Sequence, residues 1–553
     1  MLIPLRTFLA LVTPLLTIFP STVTASSHQH LHQHLHSHAT SPNHHAQPRP
    51  RPVPYNGQVT TISTTTGTWS GGTVWTSPFP VLPSDRLPKH LQKDHKVQVR
   101  QWLGISYADD AGGKNRFKPP QKRKFVAGKV EKALQFGKAC HEKVTVGVNM
   151  DGKKVETDSG EDCLSLNVWA PHGERATGKA AVIIFFYGGA FQFGHASQPS
   201  YRGERWVGAQ DDIIIVTANY RMSILGFPLA PQSDQSSHGS VNLGLLDAKA
   251  VVDWVHDNIA KFGGDPNHII LMGQSAGATI ADSYSFIYPQ DKRIKGVIGL
   301  SGVVSAIIEN QAVPIKTPFQ HFDSNWNQLS SNLGCGYISN RAQLSCMQKV
   351  PPKALFEKAG WEFHPFADGN TWFKDFGSLV YWNKVPKVPM LASSTFDENF
   401  PFMERVAFNK TSNGVNVGGT KSIWCSAWRA VKARRAVGAP AWQMEYSGNF
   451  PNISPNGFGS YHGSDITIAF GTYDILRPSI LSTVAEAQVS LKMQTLFSAF
   501  ARDPEKGLVK KGLKLPSHKG HNLVYGLGIG DQAKLQESDA DKEAVAFCYE
   551  HPA

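Results

Sequence analysis

The stretch 268–280, HIILMGQSAGATI, decides how the rest of the chain is read. Its aliphatic run, 269–272, has the length and continuity of a strand buried on both faces. Ser275 follows between Gly273 and Gly277, and small residues then open a helix-like segment. A serine hydroxyl is a poor nucleophile until a base takes its proton and donors stabilise the oxyanion. A tight strand-to-helix turn serves both needs. Glycines let the backbone fold sharply, the serine projects outward, and the next amide faces the oxyanion at a helix N-terminus. Ser275 is the candidate nucleophile, and the Ala276 N–H is one candidate oxyanion donor. The G-x-S-x-G pattern alone is weak in a chain with 49 glycines, where an ordinary tight turn is the competing reading. The strand–turn–helix context favours chemistry.

The neighbouring segments fit that context. VIIFFYGGAF (182–191), DDIIIVTANYR (211–221) and IKGVIGLSG (294–302) are short apolar runs without alternation, as in strands covered on both sides. Between them, GLLDAKAVVDWVHDNIAKFGG (244–264) repeats apolar residues at helical spacing, with Val251, Val252, Trp254, Val255, Ile259 and Phe262 on one stripe. Alternating strands and helices predict an α/β fold with a large, mostly parallel sheet covered by helices on both faces. Gly188 and Gly189 follow the first of these runs and suit a glycine-rich loop carrying a second oxyanion donor.

At 553 residues the chain is long enough for several domains, yet no internal repeat or Gly/Ser linker divides it. Residues 1–25 read as a secretory signal peptide: a basic start, an apolar run too short to span a bilayer, and the small-residue site Val23-Thr24-Ala25. A signal anchor is the alternative. Residues 26–54 form a His- and Pro-rich leader holding eight of the 22 histidines. It reads as a solvated, disordered segment, with metal capture as the competing reading. The remainder, 55–553, reads as a single domain, with cap segments around 140–163 and 310–385. No later run is apolar enough for an integral membrane segment, so the mature chain is expected outside the cell. The net charge of +12 is spread along the chain apart from a small cluster at Arg429, Lys432, Arg434 and Arg435. That pattern argues against a nucleic-acid partner and for at most adhesion to acidic polymers. Six cysteines in an exported chain favour three disulfides over metal ligation, and no CxxC pair is present. Asn409 and Asn452 head glycosylation sequons. No cofactor or metal is implied, and the oligomeric state is left open.

Several stretches together resemble the type-B carboxylesterase/lipase family, which includes cholinesterases and secreted fungal lipases. These are LGISYA from Leu103, NRFKPP from Asn115, EDCLSLNVWAP from Glu161, and the long run through Ser275. They occur in the family's order, and the likeness extends over roughly 99–549. It implies an α/β-hydrolase fold and ester hydrolysis by Ser, Glu and His in that chain order. Ser275 would be the nucleophile, and Glu398, in VPMLASSTFDENFPF, the acid that orients the imidazole. Asp397 is the reserve. Of the histidines after Ser275, His462 in GSYHGSDITIAFG matches the family's base; His321, His364, His518, His521 and His551 are then surface residues. Gly189, Ala190 and Ala276 would form the oxyanion hole. The resemblance pairs Cys140 with Cys163, Cys335 with Cys346, and Cys425 with Cys548. Each such closure is worth roughly 2–4 kcal/mol in typical cases. It also puts Trp361 and Phe363 near the acyl pocket, where the alternative is that both are cap core. A tryptophan wall there would favour short or slender acyl groups.

Three departures narrow the expectation. Ala190 stands where many relatives have a third glycine, which narrows the space beside the acyl group. Gln274 replaces the glutamate that cholinesterases carry before the serine. The 140–163 loop lacks the aromatic that binds choline by cation–π contact. The expected activity is that of a secreted serine esterase on small-molecule or lipid esters, but not on choline esters. A lipase activated at oil–water interfaces is the near alternative. A non-catalytic adhesion protein is the distant one, disfavoured because all three triad residues are present.

Overall fold

A computed structural model of the chain describes residues 55–79, 96–143, 146–148, 154–156, 158–230, 240–304, 324–337, 341–373, 376, 379, 384–398, 417–454, 459–514, 522–545 and 548. The proposed signal peptide, the histidine-rich leader, Asn409 and the histidines at 321, 518, 521 and 551 lie outside these residues.

The apolar runs pair as their burial requires. Every residue of Ala180–Phe186 and Ile213–Ala218 is buried, so neither strand can sit at an exposed edge. They join a sheet of thirteen strands among the described residues. Its centre is parallel and runs Ile213–Ala218, Ala180–Phe186, Gly264–Gln274, Ile294–Leu300, Met390–Thr395, Ala441–Tyr446, Leu523–Leu527. Antiparallel strands extend it at both margins, from Tyr55–Thr64 on one side to Gln536–Asp539 on the other.

Helix Leu243–Asn258, continued as a 3-10 turn over Ile259–Phe262, buries the stripe expected of it: Val251, Val252, Trp254, Val255, Ile259 and Phe262 are all inaccessible. Arg221 ties this helix to the end of strand Ile213–Ala218 through a bidentate pair with Asp247 at 2.7 and 2.8 Å, both side chains being buried. Helices Ser324–Asn332, Arg341–Met347 and Pro352–Lys358 lie within the expected cap. Their Trp326, Leu329, Met347, Leu355 and Phe356 form an apolar cluster of their own with Phe117, Ile224 and Leu225. Within 140–163 the chain makes two small ladders, Ala139–Cys140 on Ser159–Gly160 and Val146–Val148 on Lys154–Glu156.

Register is what assembles a site. Phe186 pairs with Gly273, Gln274 with Leu300, and Leu300 with Ser393. The loops leaving these strands therefore emerge level with one another at the carboxyl edge of the sheet, where open α/β sheets bind ligands. The disulfides are Cys140–Cys163, Cys335–Cys346 and Cys425–Cys548, with Cα separations of 4.9, 5.6 and 5.9 Å, the pairs that the resemblance implied.

Among the described residues no helix is long and apolar enough to cross a membrane, and no three His, Cys, Asp or Glu side chains converge as a metal site requires. The sequon at Asn452 corrects an expectation. Its side chain is 1% exposed and its amide donates to the Tyr473 carbonyl, Ser482 Oγ and Glu486 Oε1. A glycan there has no room in the folded chain.

Candidate active site

Ser275 sits between strand Gly264–Gln274 and helix Ala276–Ile287. Its φ of 54° is a conformation that non-glycine residues rarely adopt. The strain is held by neighbours. The Ser275 amide donates to the Leu300 carbonyl at 2.8 Å, and the Thr279 amide closes the first helical turn on the Ser275 carbonyl at 3.0 Å. The flanking glycines allow the crossing. A Cβ on Gly273 would lie 2.2 Å from the Gly277 backbone, and one on Gly277 would lie 2.0 Å from the Phe186 carbonyl. Either side chain would force the elbow apart.

Strand Met390–Thr395 leads to the candidate acid. Glu398 is 3% exposed; its Oε1 accepts the Thr395 amide at 2.7 Å, and its Oε2 lies 2.6 Å from His462 Nδ1. A buried carboxylate at that distance holds the Nδ1 proton and leaves Nε2 as the basic nitrogen. Asp397 is turned elsewhere, its Oδ2 accepting the Ser460 amide at 3.1 Å, and burial raises its carboxyl above the ordinary range. The second partner of His462 was not foreseen from the sequence. Gln274 Nε2 lies 3.0 Å from His462 Nε2, so the residue that replaces the cholinesterase glutamate caps the candidate base with an amide.

Another carboxyl stands close by. Asp465, three residues after the base, is fully buried. Burial first, and then the charge of Glu398, push it up to about 7. Sequence reading passed it over because an aspartate at the start of a helix resembles ordinary capping.

Ser275 and His462 line one cavity of about 440 Å³ with Ala190, Phe191, Gln192, Ala276, Thr279, Ser301, Gly302, Trp361, His364, Pro365 and Ile423. The loop after strand Ala180–Phe186 carries three successive positive φ values: Gly189 at 122°, Ala190 at 53° and Phe191 at 60°. The Gln192 and Phe193 amides close this turn on the Gly189 carbonyl at 2.8 and 3.1 Å. Ala190 and Ala276 line the cavity with the serine, and the Gly189 carbonyl closes the turn that carries Ala190. Trp361 forms part of the wall and is 55% exposed, whereas Phe363 is wholly buried in the cap cluster and does not line the cavity. Phe363 contributes through its backbone carbonyl, which accepts from Gln192 Nε2 at 2.8 Å. His364 is exposed, as expected of a surface residue, and also lines the cavity.

A strained serine, a carboxylate-held imidazole and a tight loop of positive-φ residues thus border one cavity, the kind of constellation acyl transfer uses. Comparison with known proteins gives the family and the fold. The carboxylesterase family model matches residues 89–417. The chlorogenic acid esterase of Aspergillus niger is 32% identical over 429 residues, covering 74% of this chain and 80% of that protein. Secreted lipase 5 of Gibberella zeae is 30% identical over 461 residues, covering 75% and 83%. Among solved structures, a thermophilic PNB esterase superposes with a TM-score of 0.68 at 22% identity, covering 88% of this chain and 98% of that one, which speaks to the fold.

Proposed function

The chain belongs to the carboxylesterase family, a carboxylic ester hydrolase, and on that footing we propose a secreted serine esterase working through an acyl-enzyme. The observation that carries the reading is the 2.6 Å contact between Glu398 and His462, with Ser275 on its strained turn in the same cavity.

His462 Nε2 takes the Ser275 proton as Oγ attacks the ester carbonyl. The Ala276 and Ala190 amides, with that of Gly189, receive the developing oxyanion. The imidazolium, held through Nδ1 by Glu398, returns the proton to the departing alkoxide. Water, deprotonated by the same nitrogen, then releases the acid and restores Ser275. In the resting structure the Gln274 N–H₂ faces the Nε2 lone pair, so the amide has to turn away before Nε2 takes the Ser275 proton; turned by half, it would offer Oε1 to the protonated form.

Export is supported by the sequence of the first 25 residues and by the secreted lipase among the relatives. That relative also favours one second reading, a lipase on long-chain esters at an oil–water interface. The named substrate of the Aspergillus relative adds hydroxylated aromatic esters to the candidates.

A panel of p-nitrophenyl esters of rising chain length, with chlorogenic acid and emulsified triglyceride beside it, separates these. Turnover that rises only beyond substrate saturation supports the lipase. A fluorophosphonate probe that fails to label Ser275 in folded protein overturns the hydrolase mechanism and leaves the adhesion reading.

A further inference from the structure

We propose that the loop 121–132 docks the protein on a bilayer bearing anionic phospholipid headgroups. This inference goes beyond the hydrolytic site and does not depend on it.

Both ends of the loop are fastened. Val130–Lys132 pairs in parallel with Thr68–Ser70 near one margin of the thirteen-stranded sheet, Lys122 bridges Ala108, and the Arg123 guanidinium stacks over the Trp69 ring at 5.1 Å. Between these anchors the side chains face water. Phe125, Val126 and Val130 are 47, 57 and 57% exposed, three of the eleven exposed large hydrophobics among the described residues. Two of them are adjacent, beside the turn at Gly128, rather than scattered singly.

The charge is equally concentrated. Lys122, Arg123, Lys124, Lys129 and Lys132 against Glu131 give +4 in twelve residues, a third of the chain's +12. Arg123 and Lys129 share Glu131, at 2.6 and 3.4 Å, and Lys122, Lys124 and Lys132 have no ion-pair partner among the described residues. Of the basic cluster singled out in the sequence, two members are turned into the fold. Arg434 and Arg435 are 1 and 7% exposed, bound inside the fold to Asp282 and Asn522.

A soluble polyanion would use the lysines and leave Phe125 and Val126 unexplained. A bilayer surface uses both, with cations at the headgroup phosphates and the apolar pair at the acyl boundary.

The test is flotation of the full chain with vesicles. The expected result is binding to mixed phosphatidylcholine–phosphatidylglycerol vesicles, little to phosphatidylcholine alone, and release as salt is raised. Lys122→Glu/Lys124→Glu/Lys132→Glu should weaken it about 100-fold or more, and Phe125→Ser/Val126→Ser about tenfold. Neither variant should change turnover of a soluble short-chain ester, which also reports that each has folded. Equal binding to neutral vesicles, no flotation at all, or unaltered binding by active variants overturns the proposal. So does retention on polygalacturonate, equal in wild type and Phe125→Ser/Val126→Ser, without flotation on mixed vesicles.

Discussion

Gln274 Nε2 stands 3.0 Å from His462 Nε2, on the side of the imidazole opposite Glu398. A neutral amide therefore occupies the place where a carboxylate would hold the imidazolium by charge. Gln274→Glu should raise the acid limb of the kcat/KM profile by roughly one pH unit or more, as an opposite charge at that range does. The profile of a neutral soluble ester reads this directly. A limb that stays put would mean the amide does not face the working base.

Ser275→Ala should lower kcat by about 10⁴-fold or more, and Glu398→Gln by about 10³–10⁴-fold, with thermal unfolding of both close to wild type. Asp397→Asn should leave kcat within about threefold, since Asp397 holds a loop amide rather than the imidazole. A large loss in Asp397→Asn with Glu398→Gln still active would reverse the assignment.

Gly189→Ala should cost about 10²–10³-fold in kcat. The added Cβ would lie 1.9 Å from the Phe193 carbonyl at a φ of 122°, so the turn must open and its amides swing away from the oxyanion. Soluble-ester kinetics with a circular-dichroism melt distinguish this local loss from general unfolding.

Asp465 links the site to stability. Its carboxyl is about 7 in the fold against an ordinary 3.8 when unfolded, so the folded chain holds a proton that the unfolded chain has lost in that interval. The contribution is intact below about 4 and disappears as pH climbs through about 7. Asp465→Asn, which stays neutral, should match wild type at about pH 4, gain on it progressively up to about pH 7 and keep a constant advantage above that. Melting both proteins across that range tests the claim; parallel curves would sink it.

Trp361→Ala should shift chain-length preference toward longer acyl groups, changing the octanoate-to-butyrate ratio of kcat/KM by about tenfold. The half-exposed indole is part of the cavity wall, so an unchanged ratio would place the acyl chain on another side.

The sheet and the elbow were legible because their signals are local. Unbroken apolar runs at 182–186, 213–216 and 269–272 admit little but buried strands, and Gly273 and Gly277 mark a crossing that tolerates no side chain. Glu398 and His462 were reached through resemblance, since they stand 64 positions apart and meet through the pairing of strands Met390–Thr395 and Ala441–Tyr446, which no local signal marks. The cap resisted reading. Phe363 and Trp361 have similar chemistry two positions apart, yet one is core and the other cavity wall, a difference set by how the cap helices settle. Asn452 and Arg434 failed for a related reason: polar residues look exposed in sequence until their buried partners, Glu486 and Asp282, come in from elsewhere in the chain.

The bond from Cys425 to Cys548 spans 123 positions and encloses His462. A protease that severs one peptide bond anywhere inside that span yields two fragments still joined as a single covalent molecule. Nicked enzyme should therefore migrate as one species without reductant and separate into two with it.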